Sequence, residues 1–288
     1  MESQENQYRW PKAEAVYPDR PGRSYALKRL RYRLRAFLHR GLIAQFEQFI
    51  NQHPFLVTLL NEHADYSYPL VYRFLDKRFN RKQRFQAICD NLLFLPKKLT
   101  ALSAPIYKTS LSFGEVMPDF EMTLSMTTHQ PMEGYWVLEL WHKPRNELVY
   151  LLTFAKLGEA LLISVVQGPN FEGSKEMVKQ LTKTCYGLRP AYLMVETMKA
   201  LTKALGFKTL LGIPQKYQNK SRFIQSSHYV VDYDAIFAES GGQLKDYWEL
   251  PLEIYRNLDD VPSKKRSMYR KRYAMLDDLA KVIEEKLE

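Results

Sequence analysis

The hydrophobic period changes twice along the chain. From about Ser24 to Leu95, apolar residues recur at steps of three and four: Leu27, Leu30, Leu34, Phe37 and Leu38 in one run, Phe85, Ile88, Leu92 and Leu93 in another. Such steps put side chains on one face of a 3.6-residue helix, so this third is predicted to be helical. Pro54, Pro69 and Pro96 mark expected boundaries, because proline removes a backbone donor and restricts its predecessor. From about Phe113 to Gly168 the period drops to two. In FEMTLSMT, Phe120, Met122, Leu124 and Met126 alternate with Glu121, Thr123, Ser125 and Thr127, the pattern of a half-buried strand. GYWVLELWHK, LVYLLTFA and LLISVVQG follow, joined by the turn-rich KPRN and KLGE, and extend the pattern into an antiparallel meander. The unbroken run Leu161 to Val166 reads as a strand covered on both faces and central to the sheet.

A third regime begins with NFEGSKEMVKQLTK, a short predicted helix, and continues in YGLRPAYLMVETMKALTKALGFKTLLGIP. There Pro190 fits the first helical position, and Met194, Met198, Leu201 and Leu205 share one face. Gly206 suits the C-terminal cap, and KTLLGI is a short strand. SHYVVDYD and DYWELP read as two more strands separated by a Gly-Gly pair, and a charged helix from about Ser263 to Lys286 closes the chain. The predicted class is α+β: a mixed, largely antiparallel sheet flanked by helices, with a helical N-terminal extension. The predicted parts are a flexible N-terminus over 1–22, a helical region over 23–100, an α/β core over 101–262 and a C-terminal helix over 263–288.

Composition narrows the partners. The 288 residues are 45% hydrophobic, enough for a sizeable core, and carry a formal charge of +10. That balance favours anionic partners: a phosphorylated ligand, an anionic membrane surface or nucleic acid. Nucleic acid comes third, since no reader motif accompanies the charge. Arg20, Arg23, Lys28, Arg29, Arg31, Arg33, Arg35 and Arg40 fall in one stretch without Asp or Glu, interleaved with the Leu/Phe stripe. A helix of this kind lies on acidic lipid, or docks its stripe on the domain and leaves its charges in water. Cys89 and Cys185 are far apart, which points to a reducing compartment. The polar opening MESQENQYRWPKAEAVYPDR predicts no secretory signal, and no run approaches the length of a membrane span. The expected location is cytoplasmic, peripheral to the inner membrane if the basic helix meets it.

Candidate chemistry gathers at two places. Gly187, Leu188 and Arg189 lead into a helix start at Pro190, where unpaired N–H groups and an arginine favour a phosphate. Gln167 and Gly168, at the end of the central strand, are expected to line the adjoining cleft. Asp232 and Asp234, two apart, share one face of a strand, where a carboxylate pair serves as a base or contacts a bound cation, or else they cap turns and the short helix that follows. Tyr233 and His228 are further proton-transfer candidates. The six histidines show no metal-ligand spacing, so no metal site is predicted, and nucleophile-elbow, Walker and His-Glu-x-x-His motifs are missing from the sequence.

Four motifs in order, Gly187-Leu188-Arg189-Pro190, DYDAIFAESGG, WELP and KKRSMYRKRY, resemble the bacterial VirK/YbjX family over about residues 40–280, with Phe237 where the family form carries Trp. The resemblance implies a cytoplasmic bacterial protein tied to envelope integrity, virulence and resistance to cationic antimicrobial peptides, without a settled biochemical activity. The order of elements is also similar to the GNAT acyltransferase core, whose helix start binds the pyrophosphate of coenzyme A through Gln/Arg-x-x-Gly-x-Gly/Ala. Lys183 and Gly187 lie off that spacing, and Arg189 stands where a small residue belongs. Together they imply acyl transfer, or binding of coenzyme A or an acyl carrier, in cell-envelope physiology. The alternative is a non-enzymatic basic adaptor on anionic membrane or an envelope partner.

Overall fold

The computed structural model describes residues 7–127, 130–169, 171–219, 232–253 and 255–288. Helices fill the N-terminal region: α1 (Ala13–Val16), α2 (Ala26–Leu38), α3 (Arg40–Asn51), α4 (Pro54–Glu62), α5 (Tyr68–Val71) and α6 (Arg81–Lys98). Pro54 occupies the first turn of α4, where its missing N–H costs nothing. Asn80 and Gln83 close a capping box at the start of α6. Pro96 does not end α6 as expected, since the helix runs one short stretch further to Lys98. Within the stretch expected as a flexible arm, Tyr8, Ala13 and Val16 are buried in the core. Tyr8 is fully buried against Phe46, its backbone exchanges two hydrogen bonds with Asn51, and its hydroxyl meets Ser67. Aromatic burial of this size outweighs the entropy of ordering a short segment.

The sheet follows: β1 (Leu111–Met117), β2 (Phe120–Met126), β3 (Trp136–His142), β4 (Glu147–Leu157), β5 (Ala160–Gln167), β6 (Leu210–Gly212), β7 (Gln243–Leu244) and β8 (Trp248–Leu250). Its order among the described residues is β1-β2-β3-β4-β5-β6-β8-β7, antiparallel except where β5 meets β6. Between β5 and β6 the chain crosses over through α7 (Ser174–Thr184) and α8 (Pro190–Ala204). A parallel pair requires such a crossover. α9 (Tyr233–Glu239) then precedes β7, and α10 (Ser263–Leu287) packs against α8 and β1. The chain is thus mixed α+β, with a mostly antiparallel sheet and an N-terminal helical region. β5 is the central strand, buried from Ala160 to Val166.

One feature of α2 runs against the usual rule. Its docked side carries Tyr32, stacked on Trp10 at 6.0 Å, and Arg29, bonded to Asp19 at 2.9 Å. The Leu/Phe stripe faces away from the body, so the reading in which it docks on the domain does not hold. Among the described residues no helix is long and apolar enough to cross a membrane.

Candidate functional site

β5 carries two irregularities near its C-terminal end. Pairing with β4 runs from Leu151↔Gln167 to Thr153↔Val165 and then jumps to Phe154↔Ile163, so Ser164 is an extra residue that bulges the strand. Its hydroxyl donates to the Thr153 carbonyl at 3.0 Å and also to that of Glu133. On the other side, β6 pairs with β5 only from Leu161 to Ile163, closing with the Ile213 N–H on the Ile163 carbonyl at 3.0 Å. Beyond Ile163 the parallel strands part. Among the described residues, no strand pairs with the edge of Ser164 to Gln167 that faces away from β4.

Tyr233 packs beside the end of β5. Its phenol hydrogen-bonds the Val166 backbone and lies near the carboxylate of Glu133, itself only 5% exposed. Burial pushes the phenol far above its usual range and Glu133 pushes it further, against a smaller opposing effect of the Val166 bond, so Tyr233 holds its proton at neutral pH. Gly168 packs against the ring of Tyr150, and a Cβ there would stand 3.1 Å from it. Gln167 is the last residue of β5 and Gly168 follows it.

The acidic pair is arranged otherwise. Asp232 and Asp234 do not share a strand face, because a helix begins between them. Asp232 is the N-cap of α9 and accepts from the Ala235 N–H at 2.9 Å. Asp234, in the first turn, accepts from the Gln215 N–H at 3.0 Å and the Trp248 indole at 2.7 Å, tying α9 to the segment after β6 and to β8. His228 lies outside the described residues. Glu133 was not singled out in the sequence. Nothing local in PMEGYW marks it, since its place depends on meeting a tyrosine far along the chain.

α8 begins at the C-terminal end of β5, with Arg189 as its N-cap residue. The Arg189 side chain is 68% exposed, reaches Glu239 only at 3.9 Å and lies 5.4 Å from the Tyr192 ring. Tyr192 donates to Glu239 at 2.5 Å, and burial with that carboxylate pushes its phenol up to about 12. Gly187 has φ +76°, the left-handed region that glycine adopts freely, and α10 covers it. A Cβ on Gly187 would stand 3.1 Å from the Arg272 guanidinium and 3.5 Å from Met268. Arg272 donates to the Tyr186 carbonyl at 2.7 and 3.1 Å. Leu188 packs against the core beside this turn. A groove of about 550 Å³ opens beside the turn, between β1 and α10, lined by Phe113, Met117, Tyr186, Met275 and Val282. Among the described residues no cluster of His, Cys, Asp or Glu is arranged to hold a metal.

A family model described as "Protein of unknown function (DUF535)" matches residues 21–285. An "Uncharacterized protein" of Haemophilus influenzae is 80% identical over 97% of this chain and 96% of its own length. "Membrane protein LapB" of Mannheimia haemolytica is 65% identical over 75% of this chain and 96% of its own. "Uncharacterized protein YbjX" of Escherichia coli is 24% identical over 90% of this chain and 83% of its own. No solved structure matches the chain.

Proposed function

The chain belongs to the DUF535 family, and from that premise we propose that it is a GNAT-like acyltransferase or acyl-carrier-binding protein of the bacterial cell envelope, working in the cleft where β5 leaves β6. The observation that carries the reading is the half-buried Tyr233, hydrogen-bonded to the Val166 backbone of the bulged central strand and near the buried carboxylate of Glu133. The order of elements supports it: antiparallel strands, a buried strand, a crossover helix starting at its end, and a parallel strand beyond. The similarity to VirK/YbjX and the name of the relative LapB support an envelope setting.

The chemistry follows from the residues. An acceptor amine attacks the carbonyl carbon of a thioester, a C–N bond forms and the C–S bond breaks. A tyrosine that keeps its proton serves as the acid, so Tyr233 donates to the departing sulfur. The amine proton passes to Glu133, which returns it to Tyr233. Asp232 and Asp234, engaged in holding α9, take no part in this step.

The turn at Gly187–Arg189 is where a phosphate of the donor would sit. Arg189 is exposed and weakly paired, which suits a charge-assisted contact. Close backbone approach at Gly187 is blocked by Arg272 and Met268, so the residues do not fit a pyrophosphate cradled on bare amides. A single phosphodiester held by the arginine side chain suits the site better, which favours the phosphopantetheine arm of an acyl carrier over whole coenzyme A.

Thermal shift of the full chain with 4′-phosphopantetheine and with coenzyme A, followed by thiol release from a panel of acyl thioesters, tests this reading. The expected result is a stabilisation that Arg189→Ala removes, and thiol release that Tyr233→Phe lowers at least about tenfold without loss of binding. No shift with either compound, together with no thiol release, would overturn it.

A further inference from the structure

We propose that the outward stripe of α2 is a docking surface for an anionic phospholipid bilayer, a role independent of the cleft chemistry. Leu27, Leu30, Leu34, Phe37 and Leu38 are each between 51% and 66% exposed. With the usual turn of about 100° per residue they occupy an arc of roughly 100° on the side of α2 opposite Tyr32 and Ala36. Five large apolar side chains in one continuous line are not scattered surface hydrophobics, and water penalises the line as a whole.

Charge decides the occupant. Arg31 borders the arc on one side and Arg33 on the other, while Arg40 lies with its guanidinium 5.3 Å from the Phe37 ring. Arg31 makes no ion pair among the described residues, and Arg33 is paired only with exposed Glu14. Lys28, 4.8 Å from the Tyr25 ring, and Arg23, 5.2 Å from it, extend the basic margin. No acidic residue lies anywhere from Arg20 to Arg40. A second copy packed stripe to stripe would bring these margins together and repel. An anionic lipid surface takes both parts: leucine and phenylalanine enter the acyl boundary, and the arginines stay at the phosphates.

The docked side of α2 is occupied independently of the stripe. Arg29 holds Asp19, Arg35 donates to the Tyr68 hydroxyl at 3.1 Å and lies 4.0 Å from the Tyr72 ring, and the Tyr32 hydroxyl donates to the Pro11 carbonyl at 2.9 Å. The helix therefore presents a fixed ridge with no need to rearrange before it meets a surface.

The test is co-sedimentation of the full chain with vesicles of phosphatidylcholine alone and of phosphatidylcholine mixed with phosphatidylglycerol. The protein should pellet with the mixed vesicles, and the triple variant Leu30→Ser, Leu34→Ser, Phe37→Ser should partition at least about tenfold less with an unchanged circular dichroism spectrum. An environment-sensitive fluorophore attached through Leu34→Cys should shift to the blue on adding mixed vesicles, since both native cysteines are buried and escape labelling. That label decides the question even where the triple variant fails to fold. No pelleting of the unmodified chain, equal pelleting of a folded triple variant, or a label that stays in water would overturn the proposal. So would a blue shift without vesicles that follows a monomer–dimer equilibrium, which would give the stripe to a second copy.

Discussion

Arg189 and the two aspartates show how far a residue's role follows from type alone. Each was a candidate because of its chemistry, and each is separated from the others by its partners. Arg189 meets Glu239 at the long distance of 3.9 Å with both side chains more than half exposed, so Arg189→Ala should change stability by no more than about 0.5 kcal/mol. Asp234 is different, because its carboxylate satisfies a backbone N–H and an indole N–H that partly leave water. Asp234→Ala should cost about 1–3 kcal/mol in urea unfolding, with Asp232→Ala nearer 1 kcal/mol for the lost cap. Equal small effects at Asp232 and Asp234 would return both carboxylates to the list of candidates for chemistry. Glu133 was invisible at this scale, since only the folded chain brings residues 133 and 233 near one another.

Elements were legible where their period was unmixed. The alternation in FEMTLSMT and the unbroken Leu161–Val166 run correspond to β2 and β5, and the Met/Leu face from Met194 to Leu205 is buried along α8. HYVVDYD also alternates, yet Asp232 starts α9 because a short side-chain cap outcompetes a weak strand signal at the chain's turn. Its described part, residues 232–234, is a helix start rather than a strand end. The parting of β5 and β6 was not readable, because it depends on how α9 seats. Phe237, fully buried, lies over β6 at Gly212, where a Cβ would come within 2.6 to 2.8 Å of three ring atoms. Gly212→Ala should therefore lower stability by about 1–3 kcal/mol, measured as an earlier urea midpoint with an unchanged slope, since neither the ring nor the strand has room to move. A neutral outcome would mean that α9 sits more loosely and the cleft is wider than described. The stripe on α2 was visible in the sequence too, but its direction was not. Tyr32, Arg29 and Arg35 fix that direction through partners far along the chain.

At the scale of the whole molecule, α2 and the cleft are joined by a short run of contacts. Arg35 packs on Tyr72, the next residue Arg73 donates to the Asn219 carbonyl at 2.9 Å, and Asn219 donates to the carbonyl of Met132, next to Glu133. A chain seated by α2 would thus hold its cleft in a fixed relation to the lipid surface. The rival explanation for any vesicle binding is the net charge of +10 acting as a diffuse attraction. The second basic cluster separates the two. Lys264, Lys265, Arg270 and Lys271 on α10 are exposed, and replacing all four by Gln lowers the formal charge from +10 to +6 without touching α2. If the bilayer is met at the α2 stripe, this quadruple variant should keep its partition to phosphatidylglycerol vesicles within about threefold at 0.15 M salt, because charges beyond about 8 Å are screened there. The stripe variant, whose net charge is unchanged, should lose far more. Vesicle titrations of the two proteins side by side measure the contrast: a larger loss in the α10 variant would make the attraction diffuse and leave α2 without a special place at the surface.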